Sequence, residues 1–403
     1  MGLAATSKSQ LWDAVVIGAG PAGSMSAYLL AKQGLSVLLL EKTAFPRQKV
    51  CGSCLNGVAL QILAQNGLGD LVNRLKAVPL KQFTLFSKEK SASLALQDSK
   101  ALSRELFDHE LAKCAVKAGS KFIDKVQATV ERIEEYSAAE YCEITAKHDD
   151  GSSEILRSKI TIVADGLMGR SLDKHPEYEA KIDSSSRIGA GAVLHESSNE
   201  YKAGIIYMSA GQGGYVGAVR LEDNKLDVAA AFDLDFIRKA GSPANAAMQI
   251  IEETKMPSIK ALLTANWHGT GALSRSRKQI AGRRIFVVGD ATSYAEPLTG
   301  EGIAWALLSA NALAPIAKKA IDCWETQFAH EWTKLHSQLI RQRQSNSSRL
   351  ARILRHSALT SISMEILKVL PLLGESMIHY MNSPTPIAKV RILHKKTQQL
   401  EEF

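Results

Sequence analysis

The chain has 403 residues, 45% hydrophobic and 22% charged, the composition of a folded protein long enough for two joined domains and a tail. Lysine and arginine number 49 against 41 acidic residues, a net charge of +8, but aromatics are only 6% and no nucleic-acid-binding motif accompanies the excess, so nucleic acid is excluded as the expected partner. The odd set of Cys51, Cys54, Cys114, Cys142 and Cys323 argues against a disulfide framework and for a reducing, cytoplasmic setting, with a peripheral position on the inner face of the membrane as the alternative.

Met1 to Gln10 reads as a frayed leader; Met1-Gly2-Leu3-Ala4-Ala5-Thr6 matches the bare myristoylation pattern, and no basic region precedes an apolar core as a secretory signal requires. Val15-Val16-Ile17 then forms a strand, Gly18-Ala19-Gly20-Pro21-Ala22-Gly23 a turn into a helix, and Val37-Leu38-Leu39-Leu40-Glu41-Lys42 a second strand. This βαβ unit is built to hold a dinucleotide. Gly18 permits the tight turn, Gly20 lets the backbone approach a diphosphate, and Gly23 lets the helix pack on the strands. The helix opening at Pro21 and Ala22 points unpaired N–H groups at the phosphates. Glu41 sits where a carboxylate can accept both ribose hydroxyls, with Lys42 behind it.

Thr43 to Asn56 breaks the periodicity with Phe45-Pro46-Arg47 and Cys51-Gly52-Ser53-Cys54, and is expected to reach back over a bound cofactor. Val58 to Ala64 resumes a helix, stopped by Gly67-Leu68-Gly69. Val78 to Leu96 reads as a strand pair, and Leu102 to Ala118 as a helix with Leu106, Phe107, Leu111 and Ala115 on one stripe. Residues 122–164 read as several strands ending in Ile160-Thr161-Ile162-Val163-Ala164. Residues 185–235 look like antiparallel strands, among them Leu226 to Phe232, and 236–264 return to helix. Ile285 to Ala291 is a parallel-type strand, and Gly302 to Lys319 the helix after it.

From about Ile321 the chain is helical and basic, with Arg341, Arg343, Arg349, Arg352 and Arg355 in one acid-free stretch. Ala358 to Met381 is apolar, interrupted by Glu365, Lys368 and Pro371. Two readings stand side by side: an amphipathic element resting on an anionic bilayer, or helices capping a cavity. No uninterrupted apolar run reaches the length that crosses a bilayer.

Two further motifs join the first: Ile162-Val163-Ala164-Asp165-Gly166 with Gly169-Arg170-Ser171 after it, and Val287-Val288-Gly289-Asp290-Ala291 followed by Pro297-Leu298-Thr299-Gly300-Glu301-Gly302-Ile303. With all three in order, residues 11–320 resemble the FAD-dependent oxidoreductases of the para-hydroxybenzoate hydroxylase fold. The resemblance implies an α/β architecture. A Rossmann-like FAD-binding domain of the glutathione reductase type would be interrupted into 11–75, 100–180 and 275–320. An antiparallel β-sheet substrate domain would take 76–99 and 181–274, and a helical C-terminal region 321–403.

It further implies that Asp290, after Gly289, accepts a hydrogen bond from a ribityl hydroxyl. Backbone N–H groups around Gly300, Gly302 and Ile303 would face the pyrimidine end of the flavin, and Asp165-Gly166 would brace the diphosphate and ribose region. Arg104, at the head of Arg104-Glu105-Leu106-Phe107-Asp108, matches the family's helix arginine that approaches the cofactor. The run from Glu41 through Phe45-Pro46-Arg47 and Lys49 to Cys51-Gly52 is most similar to the geranylgeranyl reductase branch. Gly214-Tyr215-Val216-Gly217 resembles that branch's aromatic segment and makes Tyr215 a substrate contact, although Gly217-Ala218-Val219 stands where the branch carries Trp and Phe-Pro.

Cys51 and Cys54 form a Cys-x-x-Cys pair without the second pair a structural zinc needs, so no metal is expected. The resemblance places Cys51 on the substrate side of the flavin as proton donor or substrate contact, with Cys54 beside it; a redox disulfide and simple packing in the loop are the alternatives. The leading expectation is reduction of a carbon–carbon double bond in a small lipophilic substrate, with FAD as cofactor and NAD(P)H as electron donor. NAD(P)H-dependent hydroxylation of an aromatic or polyketide substrate is the second, and a flavin-binding partner protein without turnover the third.

Overall fold

The apolar run Leu11–Ile17 is the second-motif strand's neighbour in a parallel sheet, and it is buried on both faces as such runs must be. In the computed structural model, which describes residues 10–88, 90–131, 140–195, 199–296 and 300–355, it pairs with Val37–Leu40 on one side and Ser153–Val163 on the other. Ile285–Val287 continues the sheet beyond Ser153–Val163, and Lys121–Ile123 beyond Val37–Leu40, all parallel. Val126–Val130 and Cys142–His148 extend it as an antiparallel branch. All three motifs therefore end at the same edge, where the strands run out into their following turns. The leader, Pro297 to Thr299 and the apolar stretch from Ala358 to Met381 lie outside the described residues, as do the side chains at 348, 350, 351, 353 and 354.

Every residue of the helix Pro21–Ala31 is buried, because it is enclosed by the sheet and by the helices Arg104–Lys117 and Gly302–Asp322. Its approach to the strands is set by glycine. A Cβ on Gly23 would stand 1.8 Å from the carbonyl oxygen of Gly18. Gly18 itself has φ +101°, and its Cβ would fall 2.4 Å from the oxygen of Ala164.

The second sheet runs in the order His268–Ala272, Ile188–Leu194, Leu226–Phe232, Gly214–Arg220, Ile205–Gly211, Val78–Ser87, Lys90–Ala101, Cys54–Leu55. It is not wholly antiparallel as expected: Ile205–Gly211 pairs with Val78–Ser87 in parallel. The reason is the interruption itself. Between those strands the chain leaves for the parallel layer and comes back, so no hairpin dictates their direction. One face is covered by the helix Pro243–Thr254, whose Ala246, Ala247, Ile250 and Ile251 pack on Val216, Ala218 and Val228. By strand alternation Tyr215, Gly217, Val219, Asp227 and Ala229 face the other way, toward the parallel sheet.

A three-stranded ribbon of Ala180–Ile182, Arg275–Arg277 and Ser293–Tyr294 stitches the two layers. The C-terminal helix Thr326–His336 packs Phe328, Ala329 and Trp332 on the parallel layer, and Trp332 Nε1 donates to the Val287 carbonyl at 3.0 Å. A wide helical turn over Ser337–Arg341 leads into Gln342–Arg355. Among the described residues no helix is long and apolar enough to cross a membrane.

Gly23→Ala puts a methyl group into backbone that has no room to yield. Urea unfolding is expected to show a loss of about 3 kcal/mol. Gly269→Ala, where nothing lies within 4 Å of the new Cβ, is expected to change stability by less than about 0.5 kcal/mol.

Candidate functional site

A cavity of about 660 Å³ opens between the two sheets. Charged and polar groups line one end: Gly18, Gly20, Glu41, Arg47, Lys49, Asp165 and Asp290. The opposite wall is apolar, made by Phe83, Ile206, Met208, Val219, Ala229 and Leu273.

At the charged end Gly20 brings no side chain to cap the helix Pro21–Ala31, so the first-turn N–H groups are left for a ligand. A Cβ on Gly20 would project toward two guanidinium groups, 3.8 Å from Arg47 Nη2 and 4.0 Å from Arg104 Nη2. Those cations share one carboxylate. Asp108 accepts from Arg104 Nε at 2.9 Å and Nη2 at 2.8 Å, and from Arg47 Nη1 at 3.3 Å. Burial acts to lower the pKa of Arg104, but Asp108 and then Cys51 hold it above its ordinary value. Glu41, at the end of its strand, accepts from the Ala19 N–H at 2.9 Å and the Thr43 N–H at 3.1 Å, and Arg47 lies 3.4 Å away.

Asp165 follows the strand Ser153–Val163. Its Oδ2 accepts from the N–H and hydroxyl of Ser171, whereas Oδ1 is buried with no hydrogen-bond partner among the described residues. Gly169 is glycine because a Cβ there would land on that carboxylate, 2.0 Å from its carbon. Asp290 lies in the short turn Gly289–Ala291; burial pushes its pKa up while Lys49 and Arg104 pull it down. Gly289 has φ +61°, and its Cβ would stand 2.8 Å from the Ala22 methyl, so this turn closes against the first helix.

Gly300, with φ +73°, leads to the N-terminus of the helix Gly302–Asp322, and its Cβ would touch that of Cys54 at 3.0 Å. The loop Thr43 to Asn56 thus does fold over the cavity. Cys51 and Cys54 both border it as free thiols. Cys54 donates to the Gly52 carbonyl, and burial pushes its thiol well above its usual range. Tyr215 lines the cavity beneath Arg187, whose guanidinium carbon lies 5.7 Å from the ring centre. Lys42 and Gly302 also border the opening, whereas Pro21, Ala22, Gly23, Gly289 and Ile303 are buried supports. Gly166 sits under the Lys49 ammonium, 3.0 Å from where its Cβ would be.

Sequence reasoning passed over three groups. Lys49 reaches into the charged end, where burial and then Arg47 and Arg104 push its pKa down. Arg187 bridges Asp233 at 3.1 Å and Glu296 at 3.0 Å, and Arg355 of the last helix reaches Glu296 at 3.4 Å. Asp227 is buried in the apolar wall, and burial pushes its carboxyl up to about 7, with Ser53 and Arg104 opposing and Glu222 assisting. A lone acid within Leu226-Asp227-Val228-Ala229-Ala230-Ala231-Phe232 was the one signal in the sequence that could have marked it. Among the described residues no three metal-ligating side chains converge.

An uncapped helix end between two guanidinium groups, an unpartnered Asp165 oxygen and a carboxylate closing the second strand are what a dinucleotide's diphosphate and hydroxyls would satisfy, so the residues fit FAD. The comparisons agree. The model of the FAD binding domain family matches residues 12–317. A digeranylgeranylglycerophospholipid reductase of Methanocella arvoryzae is 29% identical over 327 residues, covering 77% of this chain and 78% of that protein. Conditioned medium factor receptor 1 of Dictyostelium discoideum is 24% identical over 361 residues, covering 80% and 69%. The solved structure of the flavin-dependent brominase Bmp2 superposes with a TM-score of 0.75 at 18% identity, over 97% of this chain and 100% of that one. The chain belongs to the FAD binding domain family and is an FAD-dependent oxidoreductase.

Asp108→Asn leaves Arg104 and Arg47 buried with one counter-charge removed, and is expected to cost about 3 kcal/mol in urea unfolding. Asp227 makes a pH prediction. Its carboxyl titrates near 3.8 unfolded and about 7 folded, so the folded protein retains a proton that the unfolded chain has released. Its contribution to stability is complete below the lower value and is lost as pH rises through the upper one. The melting temperature of Asp227→Asn relative to the parent is therefore expected to rise between about pH 5 and about pH 8.

Proposed function

We propose that this FAD-dependent oxidoreductase reduces carbon–carbon double bonds in a long isoprenoid-type lipid, drawing its electrons from NAD(P)H. The observation that carries this reading is the polarity gradient of the cavity. Its charged end gives way to Phe83, Ile206, Met208, Val219 and Leu273, which offer a hydrocarbon chain burial and almost no hydrogen bonds. The archaeal relatives named as digeranylgeranylglycerophospholipid reductases support it, since such lipids pair long apolar chains with a charged head group.

When bound, FAD supplies storage of two electrons and their delivery as a hydride equivalent. Arg47, Arg104 and the N–H groups opening Pro21–Ala31 would face its diphosphate, Glu41 and Asp165 the ribose side, and Asp290 the ribityl hydroxyls. The backbone N–H groups from Gly300 to Ile303, at a helix N-terminus, would stabilise negative charge at the pyrimidine end. The apolar wall orients the substrate chain and excludes water. Cys51, near Arg104 at the boundary of the two ends, would contact the substrate there. Arg349 and Arg352 are exposed on the basic last helix and would meet an anionic bilayer from which such a lipid is drawn.

The test is anaerobic turnover. Holoenzyme reduced with dithionite and given digeranylgeranylglycerophospholipid in detergent micelles is expected to yield products gaining two hydrogens per double bond by mass spectrometry. Absence of any saturated product, with oxygen consumption and incorporation of an oxygen atom when air is admitted, would overturn the reductase reading in favour of monooxygenation.

A further inference from the structure

The apolar wall of the cavity carries one acid. Asp227 lies in the middle of the second sheet, paired across to Val219 on one side and Val193 on the other. Its Oδ2 is buried and has no hydrogen-bond partner among the described residues. A carboxyl so placed contradicts the rule that buried polar groups are satisfied, unless something absent from the protein alone completes it. The surrounding chain is arranged to present it. Ser53, which lies beside the carboxyl, is held at φ +50°, a backbone region that a non-glycine residue seldom occupies.

We propose that Asp227 is the acid that protonates the substrate double bond in the apolar part of the cavity. The proposal rests on the reductase reading above. An alkene becoming an alkane needs two electrons and two protons. One proton and both electrons arrive together as the hydride equivalent from the two-electron donor, forming a C–H bond at one carbon as the π bond breaks. The second proton forms the C–H bond at the other carbon and must come from an acid that is neutral in an apolar setting. Asp227 gives it up, is left as a carboxylate, and is reprotonated from solvent before the next turnover.

The neighbouring groups leave it this role. The Cys54 thiol is committed to the Gly52 carbonyl, and Cys51 stands near the Arg104 guanidinium, toward the charged end rather than within the apolar wall. Burial pushes Tyr215 and Tyr294 far above the range in which a phenol releases a proton readily. The groups that face Asp227 are Cys54 and Ser53 from the loop strand, Glu222 from the turn beyond its partner strand, and Arg104 from its helix. Its burial keeps the carboxyl protonated to about pH 7, so donation is available at neutral pH and fails above it.

The experiment compares holoenzyme and its Asp227→Asn and Cys51→Ser variants. Each is reduced anaerobically with dithionite and mixed with digeranylgeranylglycerophospholipid micelles at a series of pH values, and cofactor reoxidation is followed by its visible absorbance. In the parent the single-turnover rate is expected to fall about tenfold per pH unit above about pH 7. Asp227→Asn is expected to be slower by about a hundredfold or more and to lose that fall, while Cys51→Ser keeps it. A second readout needs no turnover: the infrared carbonyl band of a protonated carboxyl is expected to disappear through about pH 7 in the parent and to be missing from Asp227→Asn. Saturation of the lipid by Asp227→Asn at the parent rate and profile, or no carboxyl titrating there in the parent, would overturn the assignment and leave the reductase reading standing. Failure of the parent to saturate the lipid at all would overturn both.

Discussion

One buried carboxylate, Asp108, holds the two guanidinium groups on which the site's layout depends. Arg104 is its neighbour one helical turn back, and the pair would form wherever that helix formed. Arg47 comes from a loop with no periodic structure, and Asp108 together with Glu41 draws it to the same place. Two arginines brought together near the Gly20 turn without that acid would repel each other in a medium where water cannot screen them. Asp108, with Glu41 on Arg47 and Asp124 on the Phe45 N–H, therefore fixes where the Phe45 to Cys54 loop lies. That loop in turn delivers Lys49, Cys51, Ser53 and Cys54 to the cavity before Cys54–Leu55 joins the edge of the second sheet against Lys100 and Ala101.

The cavity that results is asymmetric in a way that sorts chemistry. At the parallel sheet, ends of strands and the start of a helix supply N–H groups and acids suited to phosphates and hydroxyls. At the second sheet, alternation turns small and apolar side chains inward. The same overall architecture accommodates a brominase and lipid reductases among the chain's relatives and neighbours, so the fold alone does not choose the reaction. In this chain the wall is made mostly of apolar side chains and carries Asp227.

Holding the wall in place falls to a second charged cluster. Arg187 stands between Asp233 and Glu296, beneath it lies the Tyr215 ring, and Arg355 reaches the same two acids from the last helix. The cluster joins the second sheet, the segment before the Gly302–Asp322 helix and the basic C-terminal helix. Its members are drawn from separate elements between Arg187 and Arg355, so a mutation in any of them acts on the cavity through the other elements. Trp332 and His336 anchor the same helical arm on the parallel layer; burial pushes His336 down to about 3, so it stays neutral against Thr292.

The amino-acid sequence by itself determined the charged end of the cavity. Gly18, Gly20, Gly23, Glu41, Asp165 and Asp290 act through local geometry, a turn, a helix start or a strand end, and local geometry is written in consecutive residues. Most of the strand and helix order followed for the same reason; the ribbon of Ala180–Ile182, Arg275–Arg277 and Ser293–Tyr294, the edge strand Cys54–Leu55 and the parallel pairing of Ile205–Gly211 with Val78–Ser87 did not, since they depend on the path the chain takes between distant segments. Only the tertiary structure decided that Asp227 is enclosed and unsatisfied, that Lys49 enters the charged end, and that Arg187 meets Glu296 and Arg355. Desolvation and ion pairing belong to the environment that distant segments create around a side chain, and no run of neighbours in the chain encodes that environment.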